Sequence, residues 1–208
     1  MKYDSLIFDL DGTLWDSRES IHLAWSEILQ TYPQVTRIPT TDDLRSTMGL
    51  QTQAIIEKLF AGLGEEGRTI LQQCIDNENR GIRRYGGTLY PGVPAVLARL
   101  SKRYPLAIVS NCQPGYIEAF FEYHGLGGVF RDFQCEGCEG RTKGENIRLV
   151  TARNGFESPL YIGDTLSDQQ AALEAGIDFV WARYGFGQGL SAALAVDSFE
   201  ELSQLLER

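Results

Sequence analysis

Three apolar residues followed at once by two carboxylates constrain this chain more than any other feature of its sequence. Leu6, Ile7 and Phe8 predict a short buried strand. Asp9 and Asp11 follow it, and the alternation of an extended chain turns both side chains to the same side. Two carboxylates so close together repel each other unless a cation or a shared proton relieves them. The stretch therefore predicts a buried strand with an acidic site at its carboxyl end.

The same residues also have a plainer structural explanation. Asp11 and Gly12 form a dipeptide that is common in turns, so a strand followed by an acidic turn would have the same sequence. Gly12 allows the backbone to turn sharply, and it equally allows a ligand to approach closely. Residues further along the chain are needed to choose between these interpretations.

Strand and helix patterns alternate in the second part of the chain. Short apolar runs at 106–109 and 160–162 predict strands, and segments with helical spacing separate them. Such alternation is typical of a parallel sheet in an α/β fold. Residues 16–86 lack strand-like runs and show helical spacing throughout. We therefore predict an α/β core formed by residues 1–15 and 87–208, with an all-helical domain inserted at 16–86.

The charge of the chain excludes some classes of partner. Its 208 residues carry a formal net charge of −9 and contain no basic cluster. This argues against a primary role in binding nucleic acid or an anionic membrane. No segment approaches the length of a membrane span, and the first residues lead into a strand without a secretion signal. We expect a cytoplasmic protein, either a monomer or a homodimer.

Polar side chains follow three of the predicted strands, and one lysine lies in a loop that can join them. These residues are Asp9, Asp11, Ser110, Asn111, Lys143, Asp164 and Asp168. Parallel strands deliver their carboxyl ends to one edge of the sheet, where ligands bind, so these side chains should converge. Oxygen ligands of this kind suit Mg²⁺, which bridges to substrate phosphate, and lysine is a point charge suited to phosphate.

Each of these residues could instead have a purely structural role. Asp164 and Ser110 could cap helices, and Lys143 could be one of many solvated lysines. Arg141 is a competing cation in the same loop. The arrangement of all the residues together, in order and on the expected elements, favours a functional site.

In this order the motifs resemble those of the haloacid dehalogenase superfamily. That family has Asp-x-Asp after its first strand, then a Ser or Thr, a Lys, and an acidic Gly-Asp-x-x-x-Asp. The matching residues here are Asp9, Asp11, Ser110, Lys143, Gly163, Asp164 and Asp168. The helical block is similar to the cap that one large subgroup inserts after the first motif. Residues 90–93 resemble the return to the core in phosphoglycolate-phosphatase-like members. One departure is Gly144, where relatives often have proline.

The resemblance implies a Rossmann-like core and a magnesium-dependent phosphatase. Asp9 would be the nucleophile that forms an aspartyl-phosphate, and Asp11 would act as general acid and then as general base. Ser110 and Lys143 would hold the transferring phosphoryl group. Mg²⁺ would be bound by Asp9, the backbone carbonyl of Asp11, and Asp164. Supporting roles would fall to Thr13, Asn111 and Asp168.

Asp11 separates the activities found within this family. Dehalogenases lack this second acid because they have no phosphate leaving group to protonate, so its presence favours phosphoryl transfer. We expect hydrolysis of a small phosphorylated metabolite similar to phosphoglycolate. A sugar phosphomutase of the β-phosphoglucomutase type is the alternative, because nothing local in the sequence decides between the two. A non-catalytic binding protein on the same fold ranks lower, since both acids are present.

Substrate identity depends on the helical cap, where the sequence is least informative. The residues that could face the core are Trp15, Arg45, Met48, Gln51 and Arg84. Arg45 or Arg84 could hold a substrate carboxylate, although surface arginines are the more frequent explanation. Trp15 could equally pack in the hinge. We expect cap and core to close around the substrate, with hinges near 15–17 and 86–87.

Two of the four cysteines have a spacing typical of metal ligands. Cys135 and Cys138 are separated by two residues, but neither histidine of the chain is close to them in sequence. A structural zinc site would need two further ligands. We therefore predict that these cysteines are unpaired thiols.

Overall fold

The computed structural model of the chain describes residues 2–48, 50, 52–135 and 141–207. Within them, the strands are β1 (Ser5–Phe8), β2 (Trp15–Asp16), β3 (Thr88–Leu89), β4 (Leu106–Ser110), β5 (Asp132–Cys135), β6 (Pro159–Gly163), β7 (Asp178–Ala182) and β8 (Leu194–Val196). The helices are α1 (Arg18–Leu29), α2 (Thr41–Arg45), α3 (Thr52–Leu59), α4 (Gly64–Tyr85), α5 (Val93–Leu100), α6 (Tyr116–His124), α7 (Lys143–Asn154), α8 (Leu166–Ala175) and α9 (Phe199–Glu207). None of the helices in this part of the chain is both long enough and apolar enough to cross a bilayer.

The central feature of the fold is a six-stranded parallel sheet in the order β5-β4-β1-β6-β7-β8. β1 lies inside it, where Leu6 pairs with Leu106 of β4 and with Leu160 of β6. All residues of these three strands are buried. Strands covered on both faces need apolar residues on both faces, which explains the unbroken apolar runs in the sequence. The predicted α/β fold with a parallel sheet is confirmed.

Alternate residues of β1 enter two different hydrophobic cores. Leu6 and Phe8 belong to the larger core, which includes apolar residues of α5, α6 and α9. Ile7 belongs to the smaller core, together with Ile147 of α7 and Ala172 of α8. Each large apolar side chain buried in this way contributes about 1.5–3 kcal/mol to stability. Because helices cover both faces of the sheet, loops and ligands can contact it only along its edges.

The chain between β2 and β3 forms the helical insert (residues 18–85), whose described residues contain no strand. Its helices α1 and α4 pack side by side. A Cβ atom on Gly81 of α4 would lie 2.5 Å from the Cβ of Ala24, so glycine is what permits this close approach. Trp15 pairs with Leu89 in an antiparallel ladder that joins the two ends of the insert. The insert is therefore tied to the core by this ladder.

Two details differ from what the sequence indicates. The sequence predicts a strand at 129–133, but β5 begins only at Asp132, and the preceding Phe130 is buried and packs edge-on against Phe8. Cys135 is disulfide-bonded, so the prediction of unpaired thiols is wrong for this residue. Cys138 lies outside the described residues.

A pair of leucine truncations tests the placement of the core. Leu160 of β6 is fully buried, whereas Leu173 of α8 is 80% exposed. We expect Leu160→Ala to lower the free energy of unfolding by about 2–5 kcal/mol, because it removes buried methyl groups and leaves a cavity. Leu173→Ala should change it by no more than about 0.5 kcal/mol. Urea denaturation followed by circular dichroism measures both, and equal losses would contradict this placement.

Candidate active site

A cavity of about 680 Å³ lies between the carboxyl edge of the sheet and the helical insert. The residues predicted for the site that line it are Asp9, Asp11, Met48, Ser110, Asn111 and Lys143. Asp9 follows β1, Ser110 ends β4, and Lys143 begins α7. Arg141, the competing cation, is not among the lining residues. The shared strand direction of a parallel sheet is what brings these distant residues together.

Three buried carboxylates meet next to this cavity. Oxygen atoms of Asp9, Asp164 and Asp168 lie within 4.8 Å of one another. The Nζ atom of Lys143 is 2.6 Å from Oδ1 of Asp9, and it also contacts Oδ1 of Asp168. When all three carboxylates are ionised, the one ammonium leaves two negative charges uncompensated. Burial, followed by the charge of Asp168, raises the pKa of Asp164 to about 7 and raises that of Asp9 well above its usual range.

Asp168 is held by its own helix as well as by Lys143. Its Oδ2 accepts hydrogen bonds from the Thr165 backbone N–H at 2.8 Å and from the Thr165 hydroxyl at 2.6 Å. The Thr165 hydroxyl in turn caps α8 in a reciprocal capping box. Asp168 therefore has both a structural role at the start of α8 and a charge that orients Lys143.

Asp164 is held in place by a glycine-containing loop after β7. Its Oδ2 accepts hydrogen bonds from the backbone N–H groups of Phe186 at 2.6 Å and Gly187 at 3.2 Å. The sequence of residues 185–189 is typical of a surface loop and does not indicate a role at the site. Glycines clustered shortly after a strand are the signal that could have indicated a close backbone approach.

The same loop connects Asp164 to the helical insert. The guanidinium of Arg18 stacks on the Phe186 ring, with Cζ 4.9 Å from the ring centroid. Arg45 donates from Nη2 to the Phe186 carbonyl at 3.4 Å. One residue thus contacts both the insert and a carboxylate of the site.

Asp11 lies in a small hydrogen-bond network that the sequence did not reveal. Its Oδ1 accepts hydrogen bonds from the Ser17 hydroxyl and, at 3.0 Å, from the Tyr116 hydroxyl. Burial raises the pKa of Asp11 to about 6, although both hydrogen bonds act in the opposite direction. A serine directly before a helix is typical of an N-cap, but the Ser17 side chain makes no capping hydrogen bond to α1. A buried tyrosine needs a polar partner, and this is the signal that could have indicated Tyr116.

The residues predicted to have supporting roles lie close to these acids. Thr13 is fully buried, and its hydroxyl is 3.5 Å from Oδ1 of Asp164. The Thr13 carbonyl accepts a hydrogen bond from Tyr184 at 2.7 Å. Asn111 lines the cavity, and its buried Oδ1 accepts no hydrogen bond from the described residues.

Of the candidate substrate residues, the structure brings Met48 to the cavity. Trp15 is fully buried and packs edge-on against Phe120, with ring centroids 4.9 Å apart. Arg84 pairs with Glu27 at 3.4 Å, and its side chain is 69% exposed. Arg45 contacts the Phe186 loop and does not line the cavity. The fifth candidate, Gln51, lies outside the described residues.

Residues 6–182 match the family model described as haloacid dehalogenase-like hydrolase, and the chain belongs to this family. The phosphoglycolate phosphatase of Rhodobacter capsulatus is 33% identical over 191 residues, which cover 88% of this chain and 85% of that protein. The phosphoglycolate phosphatase of Synechococcus elongatus is 30% identical over 210 residues, covering 98% and 95%. The enzymatic class that follows from the family and these relatives is a phosphatase.

Solved structures of the same family share the fold. A haloacid dehalogenase-like hydrolase from Streptococcus pneumoniae superposes with a TM-score of 0.85 at 22% identity, covering 99% of both chains. A HAD-hydrolase from Bacillus subtilis, solved with bound magnesium, superposes with a TM-score of 0.78 at 21% identity, covering 100% of both chains. At these identities the likeness shows the fold alone.

A pair of glycine substitutions tests how closely the first loop approaches Asp164. Gly12 has φ +85°, and a Cβ atom there would lie 2.3 Å from Oδ2 of Asp164. Gly155 has a similar φ of +67°, but a Cβ atom there meets nothing within 4 Å. Both alanine variants should lose about 1–2 kcal/mol of stability through backbone strain.

Only Gly12→Ala should also displace Asp164 and weaken magnesium binding. The rise in thermal unfolding midpoint on adding Mg²⁺ measures this, because a ligand that binds only the folded state stabilises it. We expect this rise to shrink in Gly12→Ala and to persist in Gly155→Ala. An undiminished rise in Gly12→Ala would contradict the prediction that Asp164 binds Mg²⁺.

Proposed function

We propose that this phosphatase hydrolyses a small phosphomonoester through a phosphoryl group carried on Asp9. The observation that supports this most directly is the position of Asp9. Its side chain lines the cavity, is only 5% exposed, and is oriented through Oδ1 by Lys143. This contact leaves Oδ2 to attack phosphorus. A buried carboxylate that is held in a fixed orientation meets the requirement of nucleophilic catalysis.

Asp11 is suited to move the protons that this reaction needs. When Asp9 attacks phosphorus, the bond from phosphorus to the alcohol oxygen breaks, and Asp11 donates a proton to that oxygen. Asp11 then removes a proton from the water that attacks the aspartyl-phosphate, which releases phosphate and restores Asp9. The hydrogen bonds from Ser17 and Tyr116 hold the carboxyl group in place, and a pKa of about 6 allows both protonation states near neutral pH.

The phosphoryl group would be bound by Lys143 and Ser110. Both line the cavity on the same side as Asp9 and are buried, so their interactions with the phosphoryl oxygens are little weakened by water. Phosphoryl transfer depends mainly on positioning and on stabilising charge. Lys143 supplies positive charge, and Ser110 supplies a hydroxyl donor.

The acidic cluster fits a divalent cation. Asp9 and Asp164 are the carboxylates that would hold it, together with the backbone carbonyl of Asp11, because Asp168 is already bound by Thr165 and Lys143. Two excess negative charges in a buried cluster match the charge of Mg²⁺, which prefers oxygen ligands. When bound, Mg²⁺ neutralises charge on the phosphoryl oxygens.

We also propose that residues 16–86 act as a cap domain on a core of 1–15 and 87–208. The insert forms one wall of the cavity, and the β2–β3 ladder is the connection about which it would move. Opening would admit substrate, and closing would exclude bulk water while the phosphoryl group is transferred to Asp9. The names of the curated relatives make phosphoglycolate the first substrate to test.

The nucleophile is tested by Asp9→Asn, which keeps the shape of the side chain and removes its charge. Hydrolysis of 4-nitrophenyl phosphate should require Mg²⁺, stop in EDTA, and return with excess Mg²⁺. In Asp9→Asn the rate should fall by about 10³-fold or more. Asp76→Asn makes the same chemical change at an exposed site on α4 and should retain wild-type activity. Equal activity of wild type and Asp9→Asn would disprove the proposed mechanism.

The role of Asp11 is tested by comparing two leaving groups in Asp11→Asn. 4-Nitrophenolate departs without protonation, whereas an alkoxide does not. The variant should still transfer the phosphoryl group from 4-nitrophenyl phosphate, giving a stoichiometric burst of 4-nitrophenol, and then turn over about 10²- to 10⁴-fold more slowly than wild type. Ethyl phosphate should give no burst of ethanol. Rapid-quench kinetics measures both bursts, and a burst from ethyl phosphate would exclude Asp11 as the general acid.

A further inference from the structure

The part of the cavity formed by the insert is more apolar than the part at the carboxyl edge of the sheet. Its apolar lining residues are Ile21, Trp25, Leu44, Met48, Leu50, Ile55 and Ile75. The cavity volume of about 680 Å³ lies within the range of roughly 300–1,000 Å³ that is typical of small-molecule pockets. The leaving group therefore has room for an apolar chain next to this wall.

One carboxylate interrupts this apolar wall. Glu78 of α4 lines the cavity and is 7% exposed. Its Oε1 accepts a hydrogen bond from the Trp25 indole N–H at 2.6 Å, and its Oε2 accepts one from the Gln113 side-chain N–H at 2.8 Å. Among the described residues, no lysine or arginine forms an ion pair with it. A buried acid that lacks a cation is rare unless something else pairs with it.

The hydrogen bonds around Glu78 fit its ionised form. An indole N–H can only donate, and the Gln113 amide nitrogen also donates to Oδ1 of Asn79 at 3.2 Å, which fixes its orientation. Each oxygen of the carboxylate keeps a further lone pair. Burial raises the pKa of Glu78 to about 7, so a positive group on a bound ligand would stabilise the anion.

Glu78 is within reach of a substrate whose phosphate is bound at Ser110. Gln113, which contacts Glu78, follows Ser110 by three residues, so their Cα atoms are at most about 11 Å apart. Glu78 and Ser110 also line the same cavity, so a substrate whose phosphate is bound at Ser110 can extend through that cavity towards this carboxylate. By contrast, Arg68, a cation that lines the insert side of the cavity, has a side chain that is 55% exposed and lies 3.6 Å from the Glu65 carboxylate.

We propose that Glu78 determines substrate specificity by binding an ammonium group at the far end of the leaving group. The preferred substrate class is then an amino alcohol phosphate with a short apolar chain, which lies along the wall formed by the insert. A substrate carboxylate at the position of the ammonium group would be repelled by the negative charge of Glu78. This inference rests on the proposed function and deepens it, because it concerns the alcohol half of the substrate of the same site.

The test uses alkyl phosphates with chains from ethyl to hexyl. At each chain length it compares four compounds, which end in an amino, methyl, hydroxyl or carboxyl group. At the best chain length, wild type should prefer the amino compound over the methyl compound by about tenfold or more in kcat/KM, mainly through KM. Hydrogen bonds to a charged group correspond to factors of about 10 to 150. Glu78→Gln should remove most of this preference. Glu66→Gln, the same change at an exposed position of α4, should keep it.

A second measurement does not depend on the folding of the Glu78 variant. Non-hydrolysable ω-aminoalkyl phosphonates should inhibit wild-type hydrolysis of 4-nitrophenyl phosphate more strongly than alkyl phosphonates of the same length. Three results would each overturn the assignment of Glu78. The amino and alkyl phosphonates could inhibit equally, the hydroxyl compound could be hydrolysed as well as the amino compound, or the carboxyl compound could be preferred. A carboxyl preference that is lost in Arg68→Gln would identify Arg68 as the specificity residue instead.

The two proposals can fail separately. If wild type hydrolyses 4-nitrophenyl phosphate and Asp9→Asn does not, the proposed function stands, and the comparison of chain ends tests Glu78 alone. If wild type and Asp9→Asn hydrolyse 4-nitrophenyl phosphate equally, the proposed function fails, whatever the preference among chain ends.

Discussion

The mutual repulsion of Asp9, Asp164 and Asp168 is the constraint on which the rest of the site depends. In a parallel sheet these acids meet because β1 and β6 end at the same edge, and Lys143 opposes only part of their charge. Such an arrangement costs stability in the absence of a further cation. The fold retains it by burying both faces of the sheet under helices, which supply the apolar stabilisation that the site lacks.

Much of the fold could be predicted, because its signals are local. The apolar runs of β4 and β6 and the helical spacing between them indicate a parallel sheet without any knowledge of tertiary contacts. Asp9 and Asp164 could be placed at one edge for the same reason, since strand direction alone brings their positions together. The prediction of a role for Lys143 depended on the family resemblance, because a lysine at the start of a helix has no distinctive sequence pattern.

The residues that the sequence did not indicate are defined by contacts between distant elements. Tyr116 is bound to Asp11 across 105 positions, and nothing near either residue signals the pair. Trp15 was a candidate for the cavity, but its size and apolar surface place it in the core between the sheet and α6. The sequence does carry a signal for Glu78, because this residue lies at helical spacing among the apolar residues of α4, where an acid is unexpected.

The position of Phe186 has a consequence for how the two parts of the molecule influence each other. Its N–H binds Asp164, while its ring and carbonyl contact Arg18 and Arg45 of the insert. The arrangement of the insert and the geometry of a carboxylate that we propose as a cation ligand are therefore not independent. By thermodynamic reciprocity, if the closed position of the insert favours cation binding, a bound cation favours the closed position by the same free energy. Substrate enclosure and metal affinity would then be two measures of a single equilibrium.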